Sequence, residues 1–317
     1  MKLLLLGCTG FIGKKLIPKL IEANHELTVI SRRKFNYSKK IFPNNHINHI
    51  RIDPSLPSSW ENFDLLSVLK QSEGIINLAG EPIAEKRWSK THCRKIFNSR
   101  IDTTRFLVKA IKELKKPPAI LINASAIGFY GTSQTKEFDE NSQEGNDFLG
   151  NVCKEWEKAA LEKPNRTRLV IVRIGIVLDK EGGALGKMLP IFQAGLGGPI
   201  GSGKQWMSWI HRTDLCQIII QSLINKSWSG TFNAVAPNPV SMNEFTEALG
   251  KSINRPSLLK VPEPILKLLL GDGAKVVLEG QKVICNRLKK LKFKFSYPEI
   301  SLAMKTISEK PLNHKDL

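Results

Sequence analysis

Residues 2–6, Lys-Leu-Leu-Leu-Leu, form an apolar run without polar alternation, as a strand buried on both faces requires. The segment Gly7-Cys8-Thr9-Gly10-Phe11-Ile12-Gly13 follows, and then Leu16, Ile17, Leu20 and Ile21 recur at helical spacing. Pro18 falls inside that helix, early enough to be tolerated with a local distortion. Further strands are predicted at Glu26 to Ile30, Asn48 to Ile52 and Gly74 to Leu78. A long helix from Ser89 to Leu114 carries Ile101, Leu107, Val108, Ile111 and Leu114 on one face, and Pro117-Pro118 stops it. Ala119 to Asn123 gives the fifth strand, Asp147 to Leu161 a helix and Arg168 to Arg173 the sixth strand. Alternation of this kind predicts the α/β class: a Rossmann doubly wound parallel sheet with a smaller C-terminal substrate lobe. After Ile174, glycines cluster at 182, 183, 195, 197, 198, 201 and 203, which reads as loops. A helix over Thr213 to Ile224, a strand over Thr231 to Val235 and a helix over Ser241 to Leu249 restore regular structure. Pro256 to Pro264 then reads as a junction into a helical tail.

Composition adds limits. With 41% hydrophobic and 24% charged residues among 317, the chain can bury a full core. Its apolar runs are too short to span a bilayer, and Gly7 cuts the N-terminal one short of a signal peptide. The five cysteines are scattered and never spaced as C-x-x-C, which fits a reducing cytoplasm and no metal site. A net charge of +19 raises the question of nucleic acid. Lys is spread along the whole chain rather than clustered, so no nucleic-acid partner and no stable membrane insertion are expected. The charge favours anionic ligands; a small-molecule substrate is the expected partner, with a homodimer left open.

Gly7-x-x-Gly10-x-x-Gly13 sits between strand and helix, where a phosphate-binding turn belongs. Gly7 permits the tight turn, Gly10 the approach of a pyrophosphate and Gly13 close helix packing, while Thr9, Phe11 and Ile12 complete the loop. An acidic residue after the second strand would hold the ribose 2′-hydroxyl of NAD. Ser31-Arg32-Arg33 stands there instead, and two guanidiniums suit a 2′-phosphate, so the expected cofactor is NADP.

The loop resembles the Thr-Gly-x-x-Gly-x-x-Gly of extended short-chain dehydrogenases and reductases. That resemblance implies Asp53 as an adenine contact, Leu78-Ala79-Gly80 as the segment backing the cofactor, and Asn98 as a site-facing asparagine. It also implies Ser125 as the catalytic serine, in a register that Phe129-Tyr130-Gly131 leaves open by one residue. The blocks Asn77-Leu78-Ala79-Gly80-Glu81-Pro82, Arg87-Trp88, Ser99-Arg100, Ser208-Trp209-Ile210-His211 and Leu278-Glu279-Gly280-Gln281 narrow it further. Together they resemble the epimerase-family subgroup labelled nucleoside-diphosphate-sugar epimerase or SulA-type cell-division inhibitor. The domains implied are an epimerase/dehydratase-like Rossmann domain over 1–175, with elements continuing to about 235, substrate-lobe elements over 176–253, and a family-specific C-terminal domain over 254–305.

One part of the pattern is missing. The tyrosines are Tyr37, Tyr130 and Tyr297, and none begins a Tyr-x-x-x-Lys. The Tyr slot falls on Leu149 and the Lys slot on Cys153, so the usual acid/base pair is absent and slow turnover is expected. Tyr130 is the substitute proton donor. Cys153, Arg173, Trp209 and His211 are the candidate substrate residues, each with a structural alternative: a buried thiol, a packed ion pair, a packing indole and a hydrogen-bonded imidazole. The expected function is oxidoreductase or epimerase-like chemistry on a small, nucleotide-linked substrate. Its rival is a cofactor-binding regulator, linked to cell division, that has lost catalysis.

Overall fold

The computed structural model describes residues 1–33 and 47–308, so Tyr37 lies outside the described residues. In chain order the elements begin β1 (Lys2–Leu6), α1 (Phe11–Glu22), β2 (Glu26–Ser31), β3 (Ile47–Arg51), α2 (Phe63–Gln71), β4 (Gly74–Asn77), α3 (Lys90–Lys112) and β5 (Ile120–Ala126). They continue β6 (Glu137–Phe138), α4 (Phe148–Leu161), β7 (Arg168–Ile174), β8 (Ile176–Asp179), α5 (Gly183–Gln193), β9 (Trp206–Met207), β10 (Trp209–His211) and α6 (Arg212–Ile224). The last are β11 (Gly230–Ala234), β12 (Val240–Ser241), α7 (Met242–Ser252), α8 (Glu263–Leu270), α9 (Lys275–Leu278), β13 (Lys282–Val283), α10 (Asn286–Lys290) and α11 (Ile300–Ser308).

Contacts divide the chain into two compact units. The first comprises Met1–Gly131, Gln143–Ile174 and Cys216–Phe232; the second takes Thr132–Ser142, Gly175–Leu215 and the described residues from Asn233 onward. Short segments leave one unit for the other and return.

A seven-stranded sheet, ordered β11-β7-β5-β4-β1-β2-β3, organises the first unit. The pairs from β3 through β1, β4 and β5 to β7 are parallel, so the α/β Rossmann-like expectation is met. Burial on both faces explains the unbroken apolar runs: Leu3 to Leu6 are all at most 1% exposed. Asn62, Ser89 and Asp147 cap α2, α3 and α4 through their side chains, which sets where each helix begins.

At the ends of β4 and β5 the core turns polar. Asn77 donates through Nδ2 to Thr104 at 3.0 Å and to Asn123 at 2.8 Å, and its Oδ1 accepts the Ala79 N–H. Trp156 Nε1 also donates to Thr104, whose hydroxyl donates to the Arg100 carbonyl. Every one of these bonds is buried or partly so, which anchors the Leu78–Gly80 turn on α3 and α4.

Three small sheets belong to the second unit: β8 with β10 and β6 with β13, both parallel, and β9 with β12, antiparallel. Its core joins Phe192, Trp209, Phe245, Leu249 and Met304. The glycine-rich stretch expected to be loop holds α5. Leu185 and Phe192, two helical turns apart, give α5 a buried edge that outweighs its glycine start.

Candidate functional site

The three glycines of the first turn do three different things. Gly7 has φ of 71°, and a Cβ there would stand 2.4 Å from the Ala79 nitrogen. A Cβ on Gly13 would lie 1.8 Å from the Cys8 carbonyl oxygen, so helix α1 packs directly on the loop. At Gly10 the nearest atom would be the Gly7 oxygen, 3.7 Å away. Of the three, only Gly10 would accept a Cβ at an ordinary contact distance, and it is exposed. Gly10 is also the N-cap of α1, with no side-chain cap and no acidic residue in the first turn. A helix start of this kind suits an anion. Thr9, Phe11 and Ile12 are partly buried along the same turn, and Ala79 is buried against Gly7.

Beside this turn, Ser31 hydrogen-bonds the Arg33 carbonyl at 2.6 Å and His49 Nε2 at 2.8 Å, fixing the end of β2. Arg32 and Arg33 are exposed, and Arg32 Nη2 lies 3.1 Å from the Glu81 carboxylate. Asp53 accepts from the Ser55 N–H and hydroxyl at 3.0 and 2.7 Å, which holds the turn after β3. Leu78 is half-buried and Gly80 exposed. The cofactor residues expected from the sequence thus line the C-terminal ends of β1, β2, β3 and β4, where ligands gather in such sheets.

A second cluster follows β5. Arg173, on β7, forks onto Glu157 of α4, with Nε and Nη2 each 2.8 Å from a carboxylate oxygen. Ser125 donates to the same carboxylate at 2.6 Å, and Arg173 Nη1 donates to the Tyr130 hydroxyl at 2.9 Å. The guanidinium also lies 3.4 Å from the Phe129 ring centroid. Burial opposes the charge on Arg173, but Glu157 and the Tyr130 oxygen outweigh it, and its pKa is raised. Arg173 therefore stands as a cation aimed at a phenol oxygen. Ser125 is only 2% exposed and donates its hydrogen bond to Glu157, so it is a member of this network.

The other expected residues divide. Leu149 and Cys153 share a face of α4, but the Ile127–Tyr130 turn covers that face: a Cβ on Gly128 would lie 3.3 Å from Leu149 and 4.0 Å from the Cys153 sulfur. Burial pushes the Cys153 thiol up to about 11, with Glu157 adding and Arg100 subtracting. This environment favours the structural alternative weighed from the sequence, an inert buried thiol. Iodoacetamide at neutral pH should leave Cys153 unmodified in the native protein and label it after unfolding, as peptide mass spectrometry would record.

Asn98 is exposed on α3. Two residues on, Arg100 turns inward, its guanidinium within about 3 Å of where a Gly80 Cβ would stand. It donates to the Glu81 and Ile96 carbonyls at 3.0 and 3.1 Å. Burial lowers its pKa, and Cys153 and Glu81 work against that. In the second unit, Trp209 is fully buried and donates to the Asn238 carbonyl, which favours the packing alternative. His211 is 4% exposed, stacks 3.9 Å from Tyr297 and accepts the Thr213 N–H at Nδ1, the structural alternative.

Glu157, Arg100 and Glu81 were not singled out as site residues. Glu157 had a signal: it sits among Val152, Trp156, Ala159 and Ala160 on the apolar face of α4, where a carboxylate needs a cation.

No helix among the described residues is long and apolar enough to cross a membrane. Residues 3–234 match the NAD dependent epimerase/dehydratase family, and residues 261–307 match a domain of unknown function. The chain is 44% identical over 305 residues to the chloroplastic homolog of epimerase family protein SDR39U1 from Arabidopsis thaliana, covering 96% of this chain and 85% of that one. Identity to the human protein is 37% over 311 residues, 97% of this chain and 99% of the relative. The crystal structure of human SDR39U1 (isoform2) with NADPH aligns with a TM-score of 0.87 and 35% identity, covering 97% of this chain and 99% of that one. The nucleoside-diphosphate sugar epimerase from Corynebacterium glutamicum aligns at 0.75 and 27% identity, covering 99% of this chain and 59% of that one. None of these names refers to cell division. Matched along most of its length by the family and by these relatives, the chain belongs to the NAD dependent epimerase/dehydratase family.

Proposed function

We propose that this protein binds NADP(H) and acts as an oxidoreductase or epimerase-like enzyme on a small, nucleotide-linked substrate, with Tyr130 as its proton donor. The observation that carries the reading is the 2.9 Å bond from Arg173 to the Tyr130 hydroxyl. A donor on the phenol oxygen stabilises the phenolate, which is what the lysine of Tyr-x-x-x-Lys does from one turn further along the same helix. Here the cation comes from β7, and Glu157 holds its fork in position. The N–H groups that open α1 would hold the pyrophosphate, and Arg32 with Arg33 the 2′-phosphate. Bound NADPH supplies a hydride, or as NADP takes one. In the reducing direction the Tyr130 hydroxyl gives its proton to the substrate oxygen; in the oxidising direction its phenolate takes the proton of the substrate hydroxyl, and Arg173 offsets the phenolate charge. Support for the cofactor and substrate class comes from the relatives, one crystallised with NADPH and one named for nucleoside-diphosphate sugars.

Titration of NADPH and NADH into the wild-type protein should show NADPH bound at least about tenfold more tightly, ~1.4 kcal/mol. An Arg32→Ala variant should lose most of that margin. Equal affinities in the wild type would overturn the cofactor assignment. The rival reading, a regulator that binds the cofactor without turnover, draws on the burial of Tyr130, 3% exposed. Following NADPH absorbance together with analysis of the products, across a panel of sugar nucleotides and simple carbonyls, separates the two: an oxidoreductase changes the absorbance, an epimerase returns the hydride and yields a new isomer, and a regulator does neither.

A further inference from the structure

Ser99-Arg100 and Glu81 were sequence blocks without a task, and the structure joins them. The Glu81 peptide is clamped from both sides by α3. Its N–H donates to Ser99 Oγ at 2.9 Å, and its carbonyl accepts from Arg100 Nη1 at 3.0 Å. Ser99 is itself fixed through its bond to the Ile96 carbonyl. This clamp acts on the backbone alone, so the Glu81 side chain is left to point elsewhere. It reaches Arg32, 3.1 Å away, and is the less exposed partner, 18% against 56%.

We propose that Glu81 is a cofactor-selectivity residue, a fixed counter-ion that restrains the affinity of Arg32 for the 2′-phosphate. The proposal rests on the NADP reading above. A carboxylate and a ribose 2′-phosphate compete for one guanidinium, and they repel each other as well. An exposed ion pair is weak enough to yield to a phosphate, so Glu81 tempers binding rather than blocking it. The place Glu81 holds explains a gap in the sequence too. The end of β2 lacks the acidic residue that would accept the ribose 2′-hydroxyl of NAD, and Glu81 brings a carboxylate to that end of β2 from the loop after β4. The chain therefore carries both a group for the phosphate and a group for the hydroxyl, contributed by different strands.

The test is equilibrium binding of NADPH and NADH, by calorimetry, to the full chain and to Glu81→Gln. Glutamine keeps the shape and the backbone clamp while removing the charge. The expected result is NADPH binding tightened about three- to tenfold, with NADH unchanged or weakened. The gain should shrink at high salt, where exposed charges are screened. It should vanish in an Arg32→Ala background, as a double-mutant cycle would show. A purely structural role for Glu81 would move both cofactors in the same direction, and that result overturns the proposal. So does NADPH affinity that is unchanged or weakened in Glu81→Gln while the wild type still prefers NADPH; the cofactor reading then survives alone. Equal wild-type affinities for the two cofactors sink both.

Discussion

Exchange of Arg173 for methionine is expected to cost about 3–5 kcal/mol of folding stability, the usual result of stranding one member of a buried ion pair. The side chains of Arg173 and Glu157 are 6% and 8% exposed, and the fork supplies two of the contacts to the carboxylate. Without it, Glu157 keeps only the Ser125 hydroxyl among its bonds described above. Adding Glu157→Gln to Arg173→Met should recover much of the loss, because no uncompensated charge then remains in the core. Urea unfolding of wild type, single and double variants would measure both steps. A single-variant loss below about 1 kcal/mol would class the pair with solvent-screened surface bridges.

Removal of the Tyr130 hydroxyl should act on rate instead. In Tyr130→Phe the ring keeps its edge contact with Phe129, 5.4 Å between centroids, so the turn after β5 is preserved. What disappears is the proton and the oxygen that Arg173 addresses. Turnover of any active substrate should fall about 10²- to 10⁴-fold, the range for a positioned acid or base, with NADPH affinity unchanged. Parallel loss of affinity would mean that the hydroxyl supports the cofactor site. An unchanged rate would place the proton donor outside the cluster of Ser125, Glu157, Arg173 and Tyr130.

The parts of the fold that could be read directly share one property: their signal is local. Strands β1, β4, β5 and β7 are buried on both faces, so apolar residues follow one another without alternation, as at Leu3–Leu6, Ile75–Ile76, Ile120–Ile122 and Leu169–Val172. The glycine turn is legible because its geometry lies within seven residues. Strands of two residues, such as β6 and β13, contain no period to detect, and their pairing joins distant segments. The site divides along the same line. Arg173, a charge inside an apolar strand, announced the need for a partner, but the partner's identity depended on how α4 lies against β7. Asn98 and Arg100 are two positions apart on α3, about 200° of helical rotation. Only the structure shows that the second of them faces inward.

The pairing of β6 with β13 has a consequence in time. Glu140, just beyond β6, accepts the backbone N–H groups of Asn233 and Arg287, the latter 147 residues downstream. At ~5–20 residues per second of synthesis, roughly 7–30 s separate the two ends of that contact. Through that interval, the excursion at Thr132–Ser142 has emerged from the ribosome with its partner strand still unmade. Its neighbours on either side already belong to the large parallel sheet and its helices. A chain that stops before residue 282 would therefore leave an orphaned strand in the midst of the sequence that builds that sheet. The C-terminal domain of unknown function closes a structure begun more than a hundred residues earlier, and ribosome stalling ahead of it should yield a species prone to aggregate.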